Sequence, residues 1–286
     1  MKRTALVAFL LLTLFSFYGL GQVLFLHGWL GDSSNWRECR RVMIAPPYSI
    51  DPEDIYAPSF SNGVSLVDWT VNIASYIDSL PEDSELTVVA HSFAGTSTLF
   101  LLVVARHVEE GDLVPWALGL VDRDPGLSSI VNALLSLPDT DIFVRAASRV
   151  KQAFLYHPAL GGGCYACSAC GEVPVPLVCD EALRDMCILQ TGKGLIFSAA
   201  DIASLTVPVV DIYGTHAWCL GPCLGASDTD GSVSISDQRL FLSGKDYHEI
   251  DGGAVCHADF ILNIHHAAED LVKIVFAKKE SLASVR

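Results

Sequence analysis

The sequence has few basic residues. It contains 18 Lys and Arg against 33 Asp and Glu, which gives a formal net charge of −15. Beyond the N-terminus, adjacent basic residues occur only as the pairs Arg40-Arg41 and Lys278-Lys279. Because nucleic-acid binding requires basic patches that face the phosphates, we expect no nucleic-acid partner.

The sequence also lacks internal repeats, extended low-complexity segments, Asn-x-Ser/Thr sequons and a second apolar run of membrane-spanning length. The one long apolar run follows Lys2 and Arg3 at the N-terminus. This order is typical of a secretory signal, so we predict a signal peptide over residues 1–21, cleaved before Gln22. An uncleaved anchor is the alternative, but the run is short for a bilayer span of roughly 20 residues. We expect a protein that is secreted or held in the lumen of the secretory pathway.

Beyond the signal, short apolar runs alternate with longer amphipathic stretches, which predicts βαβ units and a mostly parallel sheet. We expect one α/β domain over residues 22–286, with a cysteine-rich helical cap inserted at about residues 126–205. The predicted strands are 23–26, 54–57, 86–90, 116–121, 207–213 and 245–250, and the last is expected at an edge. The predicted helices are 64–80, 93–108 and 259–278.

The sequence contains nine cysteines, so at least one is free or paired between chains. They are Cys39, Cys164, Cys167, Cys170, Cys179, Cys187, Cys219, Cys223 and Cys256. The close spacing near residue 165 could hold zinc or an iron–sulfur cluster. Behind an export signal we favour disulfides, and we expect no metal and no organic cofactor. The spacing does not assign the pairing.

Ser92 stands at the joint between a buried strand and a helix. A turn this tight needs small residues two positions before and after the serine, and Ala90 and Ala94 meet that need. The turn places the hydroxyl at the carboxyl end of the sheet, where the N–H of Phe93 can stabilise an oxyanion. This arrangement favours a nucleophile; the alternative is that Ser92 only caps the helix.

A second loop is expected at the same end of the sheet. It follows the first strand and reads His27-Gly28-Trp29-Leu30-Gly31. The N–H of Trp29 could supply a second oxyanion donor beside that of Phe93. Together with the serine turn, this loop resembles the α/β-hydrolase family, and within it lipases and related esterases. The usual Gly-x-Ser-x-Gly has Ala at both glycine positions here. The resemblance implies a doubly wound sheet with Ser, acid and His in that chain order.

The catalytic base that this resemblance implies is His257. It lies in a glycine-rich loop between the last predicted strand and the closing helix, where the family places its histidine. A histidine is suited to this role because it can accept the serine proton and return it to the leaving group. Structural or surface roles are expected for other histidines: His27, His91, His248, His265 and His266.

The acid is not at the family's usual position, because no carboxylate follows Gly214 closely. Asp230, in a run Asp-Gly-x-Val, resembles the acid loop of several lipases and is the preferred candidate. Asp228 is an alternative, as are Asp122 and Asp124 after the predicted fourth strand. Asp228 and Asp230 could instead be simple turn formers, and we expect Asp211 to point from mid-strand to a neighbouring layer.

These residues predict a serine hydrolase that cleaves carboxylic esters, with a small-molecule or lipid ester as substrate. The same machinery could serve a thioesterase, an amidase or an acyltransferase, and the Ala-flanked turn also fits an inactive binding protein. An apolar stretch in the cap, residues 128–137, could form a lid that contacts lipid or could simply pack on the sheet.

Overall fold

The computed structural model describes residues 21–163, 166–170, 179–192, 196–215, 232–239, 246–253, 257 and 265–283. Of the predicted signal peptide, all but residue 21 lies outside these residues. The signal and its cleavage site therefore stay predictions.

Six strands form one sheet, and every neighbouring pair is parallel. Its order is β2-β1-β3-β4-β5-β6. The strands are β1 (Gln22–Leu26), β2 (Ile55–Tyr56), β3 (Leu86–His91), β4 (Val150–Tyr156), β5 (Val209–Tyr213) and β6 (Tyr247–Asp251). The chain starts at β1, moves to the neighbouring edge strand β2 and then returns past β1 to the other edge, so the sheet is doubly wound. The predicted fold class is confirmed, and the last strand lies at an edge as expected.

Helices cover both faces of the sheet. They are α1 (Arg37–Ile44), α2 (Leu66–Ser79), α3 (Phe93–Glu109), α4 (Leu113–Arg123), α5 (Ser128–Leu135), α6 (Asp141–Arg149), α7 (Ala166–Cys170), α8 (Glu181–Gly192), α9 (Ala199–Ala203), α10 (Ile235–Gln238) and α11 (His265–Ala283). Helices α1 and α11 pack together on one face, while α2, α3 and α6 pack on the other. No helix within the described ranges combines the length and the apolar composition needed to cross a bilayer.

The strands divide their side chains between two hydrophobic cores. In β1, Val23 and Phe25 belong to the core under α1 and α11, whereas Leu24 and Leu26 belong to the larger core under α2 and α3. Since successive side chains of a strand point to opposite faces, a strand covered on both sides must be apolar throughout. This explains why β1 reads as an uninterrupted apolar run.

The predicted fourth strand, residues 116–121, is wrong, because these residues belong to α4. The strand in this position of the chain is β4, which lies between β3 and β5. Near its start β4 contains the polar residues Lys151 and Gln152, so its sequence does not have the uninterrupted apolar pattern by which β1 was predicted. The predicted insertion at about 126–205 is therefore also corrected, since β4 lies within that range and divides it in two.

The cysteine-rich part of the chain lies between β4 and β5. One disulfide joins Cys167 of α7 to Cys187 of α8. A second joins Cys170, at the end of α7, to Cys179, which lies just before α8. The expectation of disulfides is confirmed for these four residues. In the described part of the chain Cys39 is a free thiol, and its burial raises its pKa.

Helix α5 covers most of the stretch that the sequence offered as a lid. Its residues Ile130, Val131 and Leu134 are almost fully buried in the larger core. Simple packing therefore accounts for the apolar character of this helix.

Candidate active site

Ser92 lies between β3 and α3 in a backbone conformation that residues other than glycine rarely adopt. Its φ is 54° and its ψ is −126°. The conformation is held from several sides, because the Ser92 N–H donates to Tyr156 O at 3.0 Å and Ser92 O accepts from Gly95 N at 2.9 Å. Backbone strain of this kind costs on the order of 1–3 kcal/mol and is concentrated at functional sites.

The small residues around Ser92 are required by close packing. Ala90 and Ala94 are fully buried. The closest approach falls one residue further on, because a Cβ added to Gly95 would lie 2.9 Å from Cβ of Pro158. Glycine is therefore needed at position 95, and alanine is accommodated at position 94.

The base predicted from sequence lies against the serine. Nε2 of His257 is 2.8 Å from Oγ of Ser92, and both side chains are buried. This is the distance over which an imidazole can take the proton of a hydroxyl group. The His257 ring lies 5.0 Å from the ring of His91 and 6.0 Å from that of His157, measured between centroids. Three imidazoles thus line this end of the sheet.

The loop after β1 also reaches Ser92. A Cβ added to Gly28 would lie 2.6 Å from Cβ of Ser92 and 3.2 Å from its Oγ. Only glycine allows the backbone to approach the serine this closely. The next peptide N–H along the chain is that of Trp29, so one predicted oxyanion donor comes from the peptide unit beside the nucleophile. The other, Phe93, is the first residue of α3, whose N–H has no acceptor within the helix.

Hydrogen bonds fix the orientation of the Gly28–Trp29 peptide unit. Gly28 O accepts from Gly31 N at 3.0 Å and contacts Nδ1 of His27 at 2.9 Å. Because Nε2 of His27 accepts the N–H of Phe60, the ring proton is on Nδ1, which donates to Gly28 O. A planar trans peptide directs its N–H opposite to its C=O. The structural role expected for His27 is thus to fix the direction of the Trp29 N–H.

The structure removes the argument for two acid candidates. Asp122 lies in α4 and Asp124 follows it, so neither follows a strand. Asp124 instead accepts the N–H of Gly126 and begins a short 3₁₀ turn. Asp228 and Asp230 lie outside the described residues, so Asp230 stays a prediction.

Asp211 is not near the strand end and has a different environment. It is fully buried in β5 and accepts the hydroxyl hydrogen of Tyr247 at 2.9 Å. Burial raises its pKa well above the ordinary value. This buried carboxyl group is bonded to the neighbouring strand of the sheet, which fits the interior position expected for it.

Two residues near the site were missed from the sequence. His157 follows β4, is fully buried and has a φ of 48°. An apolar run that ends in His157-Pro158 could have revealed it, since β1 ends in His27-Gly28 in the same way. Asp180 was missed because no local pattern connects it with Trp29, 151 residues away, whose Nε1 donates to Asp180 Oδ2 at 2.8 Å.

The fold is the α/β-hydrolase fold. The mature form of the lipase BlEst2 from Bacillus licheniformis is 12% identical, with 91% of this chain and 92% of that chain covered and a TM-score of 0.52. Its propeptide form is 13% identical, with 85% and 47% covered and a TM-score of 0.53. No family profile matches the sequence, and no curated protein does. The resemblance predicted from sequence is confirmed for the fold.

Proposed function

We propose that this protein is a secreted serine hydrolase that cleaves carboxylic esters with lipid-like acyl groups. The observation that carries the proposal is the 2.8 Å contact between Nε2 of His257 and Oγ of Ser92 at a strained strand-to-helix turn. A serine that only caps a helix has no use for a buried imidazole on its hydroxyl group. Nucleophilic catalysis does, because a neutral hydroxyl is a weak nucleophile until a base accepts its proton.

In the proposed reaction, Oγ of Ser92 attacks the ester carbonyl while its proton moves to Nε2 of His257. The negative charge that develops on the carbonyl oxygen is stabilised by the N–H groups of Trp29 and Phe93. His257 then gives the proton to the leaving alcohol, and the acyl group remains on Ser92. Water, activated by the same imidazole, hydrolyses this acyl-enzyme. Asp230 is the proposed partner that orients His257.

Turnover of p-nitrophenyl esters tests this proposal. We expect Ser92→Ala to abolish turnover while its circular dichroism and unfolding midpoint stay those of a folded protein. His257→Gln should lower kcat by about 10³-fold or more, as loss of a triad member does. A folded Ser92→Ala variant with undiminished activity would show that the serine is not the nucleophile.

The acid is tested by comparing two neighbouring carboxylates. We expect Asp230→Asn to lower kcat by orders of magnitude, because the imidazolium then has no negative charge beside it. The matched control is Asp228→Asn, which makes the same charge change two residues away and should leave kcat near that of the wild type. The reverse result would assign the acid to Asp228.

The lipid-like substrate is supported by the surface beside the site. Leu30, next to Trp29, is 63% exposed, the highest fraction among the large apolar side chains of the described residues. A panel of esters with increasing acyl length should show rising kcat/KM up to a long chain. The same panel with thioesters, amides and acyl acceptors separates an esterase from a thioesterase, an amidase and an acyltransferase. A preference for acetyl esters would contradict the lipid-like assignment.

Secretion is supported by the two disulfides, which form and persist in oxidising compartments. We expect the protein recovered from the medium of a eukaryotic expression host to begin at Gln22. An intact mass that includes residues 1–21 would contradict the predicted cleavage. Protein that stays inside the cells would contradict secretion.

A further inference from the structure

Asp180 joins the cysteine-rich region to the loop after β1. Its Oδ2 accepts the indole N–H of Trp29 at 2.8 Å, and the bond lies partly out of solvent. Its Oδ1 accepts the N–H of Leu183 at 2.8 Å and so caps α8. Each carboxylate oxygen therefore has its own donor.

The region around Asp180 is anchored to the rest of the molecule. Cys179, the preceding residue, is bonded to Cys170. The following residue, Glu181, donates its N–H to Gly63 O at 3.1 Å. Four residues after Glu181, Oδ2 of Asp185 accepts the N–H of Leu66 at 2.7 Å, which ties α8 to the start of α2. A carboxylate held in this way is a fixed point for the side chain that it binds.

Trp29 is held at both ends by these contacts. Its peptide unit is oriented through Gly28 O by His27 and Gly31, and its side chain is oriented by Asp180. The indole bond matters for the backbone because the neighbouring Leu30 adopts a left-handed φ of 63° and is largely exposed. The bond to Asp180 therefore adds to the backbone hydrogen bonds that limit rotation of this loop.

We propose that Asp180 is a positioning residue for the oxyanion site, which it acts on through the indole of Trp29. This inference rests on the proposed function, since it assigns the backbone N–H of Trp29 to the oxyanion. The disulfide-fastened region, which comprises α7, Cys179 and α8 between β4 and β5, would then support catalysis. It carries Asp180, whose carboxylate accepts the hydrogen bond that holds the Trp29 loop in place.

Asp180→Asn tests this role and leaves the helix cap intact. Asparagine is as good a cap as aspartate, so its single oxygen can still accept from Leu183. Its NH₂ group then faces the indole N–H of Trp29, donor against donor, and the bond to Trp29 is lost. We expect kcat for a p-nitrophenyl ester to fall about 10- to 100-fold, the range in which an oxyanion donor displaced by about 1 Å is felt, with KM little changed.

Two further variants separate positioning from a general structural role. Asp185→Asn makes the same chemical change on the same helix without touching Trp29. Because the asparagine oxygen can still accept the N–H of Leu66, this anchor is kept and we expect kcat to equal that of the wild type. Trp29→Phe removes the indole N–H and should lower kcat by a factor similar to that of Asp180→Asn. The double variant should be no slower than either single variant, because both remove one interaction.

A nuclear magnetic resonance experiment observes the bond without relying on activity. The chain has five tryptophans, and Trp29→Phe identifies the indole N–H signal of residue 29. Asp180→Asn should shift that signal and leave the others in place. If the Trp29 indole signal does not shift in Asp180→Asn, the role of Asp180 is overturned. The same follows if the wild type is active and Asp180→Asn has the same kcat; in both cases the proposed function is unaffected. A folded wild type with no turnover would instead overturn the proposed function, and the role of Asp180 with it.

Discussion

Replacing Gly28 by alanine tests the close approach of the β1 loop to the nucleophile. The added Cβ would lie 2.6 Å from Cβ of Ser92, whereas carbon atoms in contact are about 3.5–4.0 Å apart. The two groups must therefore separate by about 1 Å. Ser92 is tied to Tyr156 and Gly95 through its backbone, so we expect the loop that carries Trp29 to move. A shift of about 1 Å in a catalytic group can cost 10²-fold in rate, equivalent to about 2.7 kcal/mol in the activation barrier.

The assay compares kcat with the free energy of unfolding in urea. For Gly28→Ala we expect about a 100-fold loss of kcat with a loss of stability of about 1–3 kcal/mol, as for overpacked sites. Gly119→Ala is the matched control, because its added Cβ meets no atom within 4 Å and it lies within α4. This control should keep full activity and gain about 0.5–1 kcal/mol in stability. A folded Gly28→Ala enzyme with wild-type kcat would refute the reasoning.

Three predictions concern stability. Because glycine tolerates a φ of 54°, Ser92→Gly should be more stable than Ser92→Ala by about 1 kcal/mol in urea unfolding; equal stabilities would mean that the turn is unstrained. Burial raises the pKa of Asp185 to about 6, so its protonated form stabilises the fold, and this contribution is lost as the pH rises through 6. Asp185→Asn should therefore gain on the order of 3 kcal/mol relative to the wild type between pH 4 and pH 8, whereas a constant difference would contradict the pKa. Tyr247→Phe should cost about 1–3 kcal/mol, since it removes the hydroxyl that binds buried Asp211; an unchanged urea midpoint would argue against that bond.

The strands and helices that the sequence predicted well are those with an uninterrupted pattern. β1 and β3 are covered on both faces, so residues 23–26 are all apolar and residues 86–90 are apolar except for Thr87, and the serine turn between β3 and α3 was placed correctly. β4 carries a polar pair directly after Val150: Lys151 is exposed and Gln152 is buried, whereas the apolar residues that follow are all buried. Its local sequence is therefore a poor guide, and its position depends on pairing with β3 and β5.

The confusion of α4 with a strand has the opposite cause. Its residues from Trp116 to Val121 are mostly apolar, yet Leu118 is 51% exposed and only Ala117 and Leu120 are buried. An exposed leucine on a surface helix imitates the apolar run of a buried strand. Length and local composition do not separate the two cases; packing against α3 does.

The site shows the same division between local and long-range information. The roles expected for Ser92 and Trp29 depend on tight turns, which require small residues close by in the sequence. The hydrogen bond between Trp29 and Asp180 joins residues 151 positions apart and depends on how the disulfide-fastened region folds back over the sheet. Contacts of this range have no local pattern, so the sequence could not predict them.

The central claim is that Ser92 is a nucleophile activated by His257. Its most direct test is covalent labelling of the folded protein with a fluorophosphonate probe, followed by mass spectrometry of the peptides. We predict one adduct, on the peptide that contains Ser92, with no labelling in Ser92→Ala and much slower labelling in His257→Gln. A folded wild-type protein that forms no adduct, or that is labelled at another residue, would contradict the claim.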